Sequence, residues 1–267
     1  MDPMFALVLF ALFIAAFLQR VAGFGYGLIG APFALTIFTP FEVSFLMAFW
    51  GSANSLPTIL LLYSHIRWDI YRKLFIWLCL GLVLGYVGLL FLPASVFKLL
   101  AVVICVQAIV SVFRPDLATK GISWTADHRV ASTIAGTLQS SVAIPGPPLV
   151  VAFNAMKLTQ NAFVSLFALV FLSVGVMRIG VSMGFVIVGL YSEGMAERLP
   201  DDIIFNATTG SLVSIAGVLI AQPLVRHLST AFFKKIAATL IAVSALTLII
   251  DVFGWGPRIA ALFGIGV

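Results

Sequence analysis

Apolar residues fall in long blocks along the chain, at 4–22, 27–39, 41–64, 74–91, 96–113, 129–144, 147–157, 160–190, 203–224 and 233–253, separated by short polar or Gly/Pro-rich breaks. Blocks of about 18 residues or more can cross a bilayer as helices, and no alternating ten-residue pattern of an outer-membrane barrel is seen. Blocks 27–39 and 147–157 are too short to cross. They reach about 20 Å or less at 1.5 Å per residue, against a hydrocarbon core of about 30 Å. Each follows a helix-breaking run, Gly25-Tyr26-Gly27 in one case and Pro145-Gly146-Pro147-Pro148 in the other, which predicts a half-helix restarting after a break.

The breaks recur because the sequence recurs. Leu18-Gln19 returns as Leu138-Gln139, a step of 120 that also carries Phe33 to Phe153, Thr39 to Thr159 and Ala48 to Ala168. Further on, Leu92 to Lys98 falls on Leu228 to Lys234, a step of 136, so the second copy has gained 16 residues, most simply within Tyr191–Asp202. Two repeats, 1–114 and 129–267, within one membrane domain follow, with chance likeness of apolar segments as the competing account. Duplicated halves with breaks at matching places are a signature of membrane transporters, whose substrates bind at the repeat interface.

Composition narrows the class: 62% hydrophobic and 9% charged residues with a mean hydropathy of +1.16 describe an all-α polytopic membrane protein in a lipid bilayer, not a soluble domain. The net charge of +5 comes from dispersed loop cations, which argues against nucleic acid and for topology. Loops 65–73 (Arg67, Arg72, Lys73), 114–129 (Arg114, Lys120, Arg129) and 226–235 (Arg226, Lys234, Lys235) are expected on the cytoplasmic side, whereas the acidic 191–202 loop is expected outside. Since 191–202 is the counterpart of 65–73, the repeats are expected to have inverted topology, with parallel four-span repeats as the alternative. The start Met-Asp-Pro-Met reads as lacking a removable signal peptide. Cys79 and Cys105 read as packed thiols, and small residues at Gly81, Gly85, Gly217 and Ala221 read as helix-packing faces that also permit a homodimer.

Few residues can carry chemistry inside such blocks. Arg20 and Arg178 lie in apolar segments, while the carboxylates there are only Glu42 at a helix start and Asp251 near the last segment's end. A buried cation without an anion suggests that a small anionic substrate supplies the charge; the bland alternatives are snorkelling for Arg20 and a tilted span's end for Arg178. A helix restarting at Gly25, Tyr26 and Gly27, or at Pro145 and Gly146, turns its N-terminal N–H groups and positive dipole end toward an oxyanion, unless the break is a packing kink. Gln19 and Gln139 precede the breaks and can donate to oxyanion oxygens while staying neutral; Ser140, Ser141 and Asn54 are further candidate ligands, with interhelical hydrogen bonding as the structural alternative for all five. Nothing in the chain points to a metal, a cofactor or a nucleophile constellation, so an enzyme is a poor fit.

Gly23-Phe24-Gly25-Tyr26-Gly27-Leu28-Ile29-Gly30-Ala31-Pro32 resembles the first glycine motif of the sulfite exporter TauE/SafE family of transmembrane proteins. Ile144-Pro145-Gly146-Pro147-Pro148-Leu149-Val150 is similar to that family's Gly-Gly-Pro-Pro-Leu element, and His65-Ile66-Arg67-Trp68-Asp69 to its loop after the next helix. Tyr26 and Pro145 stand where the family commonly has glycine. The resemblance covers nearly the whole chain and implies a duplicated bundle in the cytoplasmic membrane that exports sulfite or small organosulfonates. Alternating-access transport is the leading expectation, against a passive anion channel or a non-transporting membrane partner.

Overall fold

A computed structural model describes residues 3–113, 127–187 and 202–225, together with 239, 242, 246, 249 and 250. Among the described residues all regular structure is helical: α1 (Pro3–Ala22), α2 (Tyr26–Ala34), α3 (Pro40–Leu62), α4 (Trp68–Phe91), α5 (Ala94–Phe113), α6 (His128–Ser141), α7 (Gly146–Ala155), α8 (Gln160–Ile187) and α9 (Ile203–Leu224), with a 3-10 turn at Tyr63–His65. Helices α1, α3, α4, α8 and α9 are long and apolar enough to cross a membrane. Large apolar side chains such as Phe10, Leu60, Ile76, Phe91 and Ile204 face outward, as hydrocarbon surroundings allow and water does not. The chain is a multi-pass helical membrane protein. The 233–253 block, the 191–202 loop apart from Asp202, Asp251, most of the 114–129 and 226–235 loops, and the 228–234 landmark lie outside or almost wholly outside the described residues.

The short blocks are short helices, α2 of 9 residues and α7 of 10. α2 stops at Ala34, before the expected 39, in a turn where the Thr36 hydroxyl donates to the Phe33 carbonyl at 2.6 Å. Pro40 then starts α3 at a position where its missing N–H costs nothing. Thr39 and Glu42 cap that start reciprocally, the Thr39 N–H donating to Glu42 Oε2 at 2.7 Å and the Glu42 N–H to Thr39 Oγ1 at 3.3 Å. Glu42 thus serves the helix end. α4 begins at Trp68, six residues before the apolar block, because its exposed first turns carry Asp69, Arg72 and Lys73 and hydropathy alone does not register them.

Packing repeats itself. α4 lies against α6, α1 against α9, and α3 against α8. A Cβ on Gly81 would stand 2.0 Å from the Thr133 carbonyl oxygen, and one on Gly85 2.2 Å from that of Thr137, so glycine alone lets the α4 and α6 backbones meet. A Cβ on Gly217 of α9 would stand 2.6 Å from the Phe13 carbonyl oxygen of α1. The 136 step relates Gly81 to Gly217 and the 120 step relates Phe13 to Thr133, so one contact occurs twice.

Contacts at the helix ends position the breaks. Phe5 near the start of α1 meets Phe38, just after α2, edge-on at 6.2 Å, and also Phe205 at the start of α9 at 6.4 Å. From there α3 runs its 23 residues, about 35 Å, toward His65. His65 shares one pocket with Met156, just after α7, and Met156 shares another with His128, the first residue of α6.

Candidate functional site

Both breaks are built on a left-handed residue at the same place. After α1, Gly23 has φ 87° and Gly25 φ 113°; after α6, Ala143, the position matched to Gly23, has φ 60°. Glycine adopts this backbone freely, whereas alanine there costs roughly 1 kcal/mol, so the sequence disguises a feature that the two halves share. In the second break the Val142 and Ile144 N–H groups both donate to the Leu138 carbonyl, at 2.9 and 3.3 Å, closing α6 in the manner of a Schellman end.

The two breaks touch. A Cβ on Gly27 would lie 2.0 Å from the Ala143 carbonyl oxygen, and one on Gly146 would lie 3.9 Å from Leu28 Cδ1. Every residue from Gly25 to Leu35 and from Leu138 to Leu149 is buried. Tyr26 is wholly buried; its hydroxyl pairs with the Ser214 hydroxyl at 2.7 Å and its ring meets Phe171 edge-on at 6.4 Å. α2 has no side-chain cap, so the first N–H groups of its opening turn, those of Tyr26 and Gly27, are not met by a capping side chain. α7 opens Gly146-Pro147-Pro148, and of these only Gly146 has an N–H. The anion-attracting end expected of the second half-helix is therefore weaker in donors than the first.

Several buried amides keep atoms without a bonding partner. Gln19 and Gln139, each 4% exposed, both leave Oε1 without a partner, and Asn54, at 1%, leaves both amide atoms unpartnered. Such groups cost about 1–3 kcal/mol each unless water or a ligand meets them. Asn54 follows Trp50 and Gly51 one turn along the same face of α3. That face reaches Tyr26, since a Cβ on Gly51 would be 3.9 Å from its ring, and Trp50 Nε1 donates to the Asn206 carbonyl at 3.0 Å. Ser52 Oγ, against Gly175, is likewise unpartnered. Ser140 and Ser141 are different: their hydroxyls donate to the Gly136 and Thr137 carbonyls of their own helix at 2.9 and 2.6 Å, which leaves them only lone pairs to offer.

The arginines are held by separate helices. Arg20, 5% exposed, donates through Nε to Gln222 Oε1 of α9 at 2.7 Å, a neutral carboxamide where an ion pair would need a carboxylate. Arg178, 1% exposed, donates through Nε to Ser44 Oγ at 3.1 Å, with its guanidinium carbon 4.3 Å from the Tyr86 ring centre and 5.3 Å from that of Phe41. Ser44 in turn donates to the Ser140 carbonyl. Sequence reasoning passed over Ser44, Tyr86, Ser214 and Gln222; their only local signal is that each is a polar side chain within an apolar block.

At the His65 end lies a pocket of about 280 Å³ lined by His65, Arg67 and Lys157, next to one of about 220 Å³ lined by Lys73 and His128. Arg67 is paired with Asp69 at 2.9 Å. Arg67, Lys73 and Lys157 form a basic rim at this end of the bundle. Cys79 is half-buried and donates to Met177 Sδ at 3.6 Å, and the described residues hold no group of three His, Cys, Asp or Glu able to bind a metal ion.

Two helix breaks thus touch inside the bundle, buried amide atoms of Gln19, Gln139 and Asn54 lack partners, and two guanidinium groups are buried on separate helices. No curated protein and no solved structure matches the chain. The family model described as Sulfite exporter TauE/SafE matches residues 8–248 of the 267, and the chain belongs to that family.

Proposed function

We propose that this protein exports a small oxyanion, sulfite or an organosulfonate, across the cytoplasmic membrane by alternating access at the meeting point of its two helix breaks. The observation that carries the reading is the backbone contact of Gly27 with Ala143, which brings two interrupted helices together in a buried place. The α2 N–H groups and dipole, the Arg20 charge, and the amides of Gln19, Gln139 and Asn54 would replace the hydration shell of an oxyanion there. The buried polar and charged residues include no carboxylate among those described, which fits a substrate that carries its own proton, or anion exchange, better than an acidic relay.

Inverted repeats, 1–114 and 129–267, fit the same contacts. The α1–α2 hairpin begins and ends near Phe5 and Phe38, the α6–α7 hairpin near His128 and Met156, and α3 separates these two ends by about 35 Å. Two re-entrant hairpins would then enter from opposite faces, with the basic His65 end cytoplasmic. Single cysteines placed at 65–73 are expected to label from the cytoplasmic side and those at 191–202 from outside. Labelling of both from one side would mean parallel repeats.

Flux of sulfite and of organosulfonates in proteoliposomes tests the function. Arg20→Ala and Gln139→Ala are each expected to raise KM about tenfold, the value of one hydrogen bond to a charged ligand. Wild-type KM in both variants would remove the site. Channel-like rates would overturn alternating access, and no flux with any small oxyanion would leave a non-transporting partner protein.

A further inference from the structure

We propose that the pathway holds two anion stations related by exchange of the repeats, one built on Arg20 and Gln222 and the other on Arg178, Tyr86 and Ser44, each serving one membrane face. The proposal rests on the transport reading and divides its single site in two.

In the sequence the halves look unequal, since Arg20 is matched by Ser140 under the 120 step. In space the inequality disappears. Arg20 bonds Gln222 of α9, and the 136 step carries Gln222 to Tyr86 of α4, the residue whose ring lies 4.3 Å from the Arg178 guanidinium carbon. Arg178 also reaches Ser140, the counterpart of Arg20, through Ser44, which accepts from Arg178 and donates to the Ser140 carbonyl. A guanidinium therefore stands beside residue 86 or 222, and beside residue 20 or 140, in both halves. It is carried by α1 in one and by α8 in the other. A buried cation costs several kcal/mol wherever it sits. Drift of sequence would be expected to lose the second one, yet a different helix supplies it at the matched place.

The two stations lie toward opposite ends of the bundle. Arg178 is held by Phe41 and Ser44 in the first turns of α3 and by Tyr86 near the end of α4. Those α3 turns adjoin the end marked by Phe5, Phe38 and Phe205. α9 starts at that same end, and Gln222, two residues before its last, lies about 28 Å further along it. Arg20 is accordingly near the cytoplasmic end and Arg178 near the outer end. Around Arg178 the Tyr86 and Phe41 rings solvate the cation in place of water. An anion arriving from outside would exchange with that aromatic cover.

Sulfite KM measured separately at each face, in right-side-out and inverted membrane vesicles containing the full chain, tests this. Arg178→Gln is expected to raise the KM at the outer face about tenfold and leave the cytoplasmic KM within about twofold; Arg20→Gln is expected to do the reverse. Tyr86→Leu, which removes one aromatic wall of the second station and leaves Arg178 in place, is expected to raise the outer KM about threefold and leave the cytoplasmic KM within about twofold, a one-sided change that mere loss of packing would not give. Equal KM changes at one face for both arginine variants would mean a single site and overturn the proposal. So would an unchanged KM at both faces for Arg178→Gln. If Arg178→Gln fails to reach the membrane, Tyr86→Leu decides: a raised outer KM with a near-normal cytoplasmic KM upholds the second station, and an unchanged outer KM overturns it. No flux from wild type would instead sink the transport reading itself.

Discussion

Replacing Gly27 by alanine is expected to reduce sulfite flux about 100-fold while the protein stays helical and membrane-inserted. The added Cβ would lie 2.0 Å from the Ala143 carbonyl oxygen, where even a tight contact needs about 3 Å, so the hairpin tips must part by roughly an ångström. The neighbouring atom is backbone and is held by the left-handed turn at Ala143, so no side chain can rotate away. Displacements of about 1 Å at a reacting or binding centre can cost two orders of magnitude, whereas overpacking alone costs about 1–3 kcal/mol of stability. Flux should therefore fall far more than thermal stability. Gly180→Ala is the control: it lies in α8 with nothing within 4 Å of its added Cβ, and should gain up to about 1 kcal/mol of helix propensity with flux unchanged. Proteoliposome flux with circular dichroism reads both variants. Normal flux from Gly27→Ala would show that transport does not need the two breaks in contact.

The second large effect is expected on folding. Gly81→Leu would drive a side chain into the Thr133 carbonyl and open the whole α4–α6 seam, including Gly85 against Thr137. Lipid tails are as apolar as leucine, so helices in a bilayer are held by close van der Waals contact, and a seam forced open loses that contact with no hydrophobic gain in return. A loss on the order of 3 kcal/mol is expected, seen as a lower melting temperature in detergent and little protein in the membrane. Gly217→Leu, in the matched seam between α9 and α1, is expected to act the same way but more mildly, because its Cβ would have 2.6 Å of space in place of 2.0 Å. Wild-type melting of Gly81→Leu would contradict the packing described.

Local chemistry made much of this legible in the chain. Apolar block length and breaker residues are properties of neighbouring residues, and they placed α1, α3, α5, α6, α7 and α9 within about three residues of where they stand. α4 was the weakest reading because its first turns are polar, and α2 ended early because a turn and a proline follow it. The breaks at 23–25 and 142–145 were legible for the same reason, although Ala143 hid the left-handed turn that glycine announces at position 23.

What each polar side chain faces is a different kind of fact. Arg20 meets Gln222 across 202 positions, Tyr26 meets Ser214 across 188, and Arg178 meets Ser44 across 134. No periodicity encodes such pairs, because they depend on which helices pack together and at what depth, which is settled only when glycine seams let particular backbones approach. The sequence by itself determined a helical membrane protein with two broken helices and two buried arginines that looked unequal. Only the tertiary structure decided that Glu42 caps a helix, that Ser140 and Ser141 bond their own helix, that amide atoms of Gln19, Gln139 and Asn54 are left unpartnered, and that Arg178 is linked through Ser44 to the Ser140 carbonyl, because which polar groups meet inside a bilayer depends on which helix passes by and at what depth.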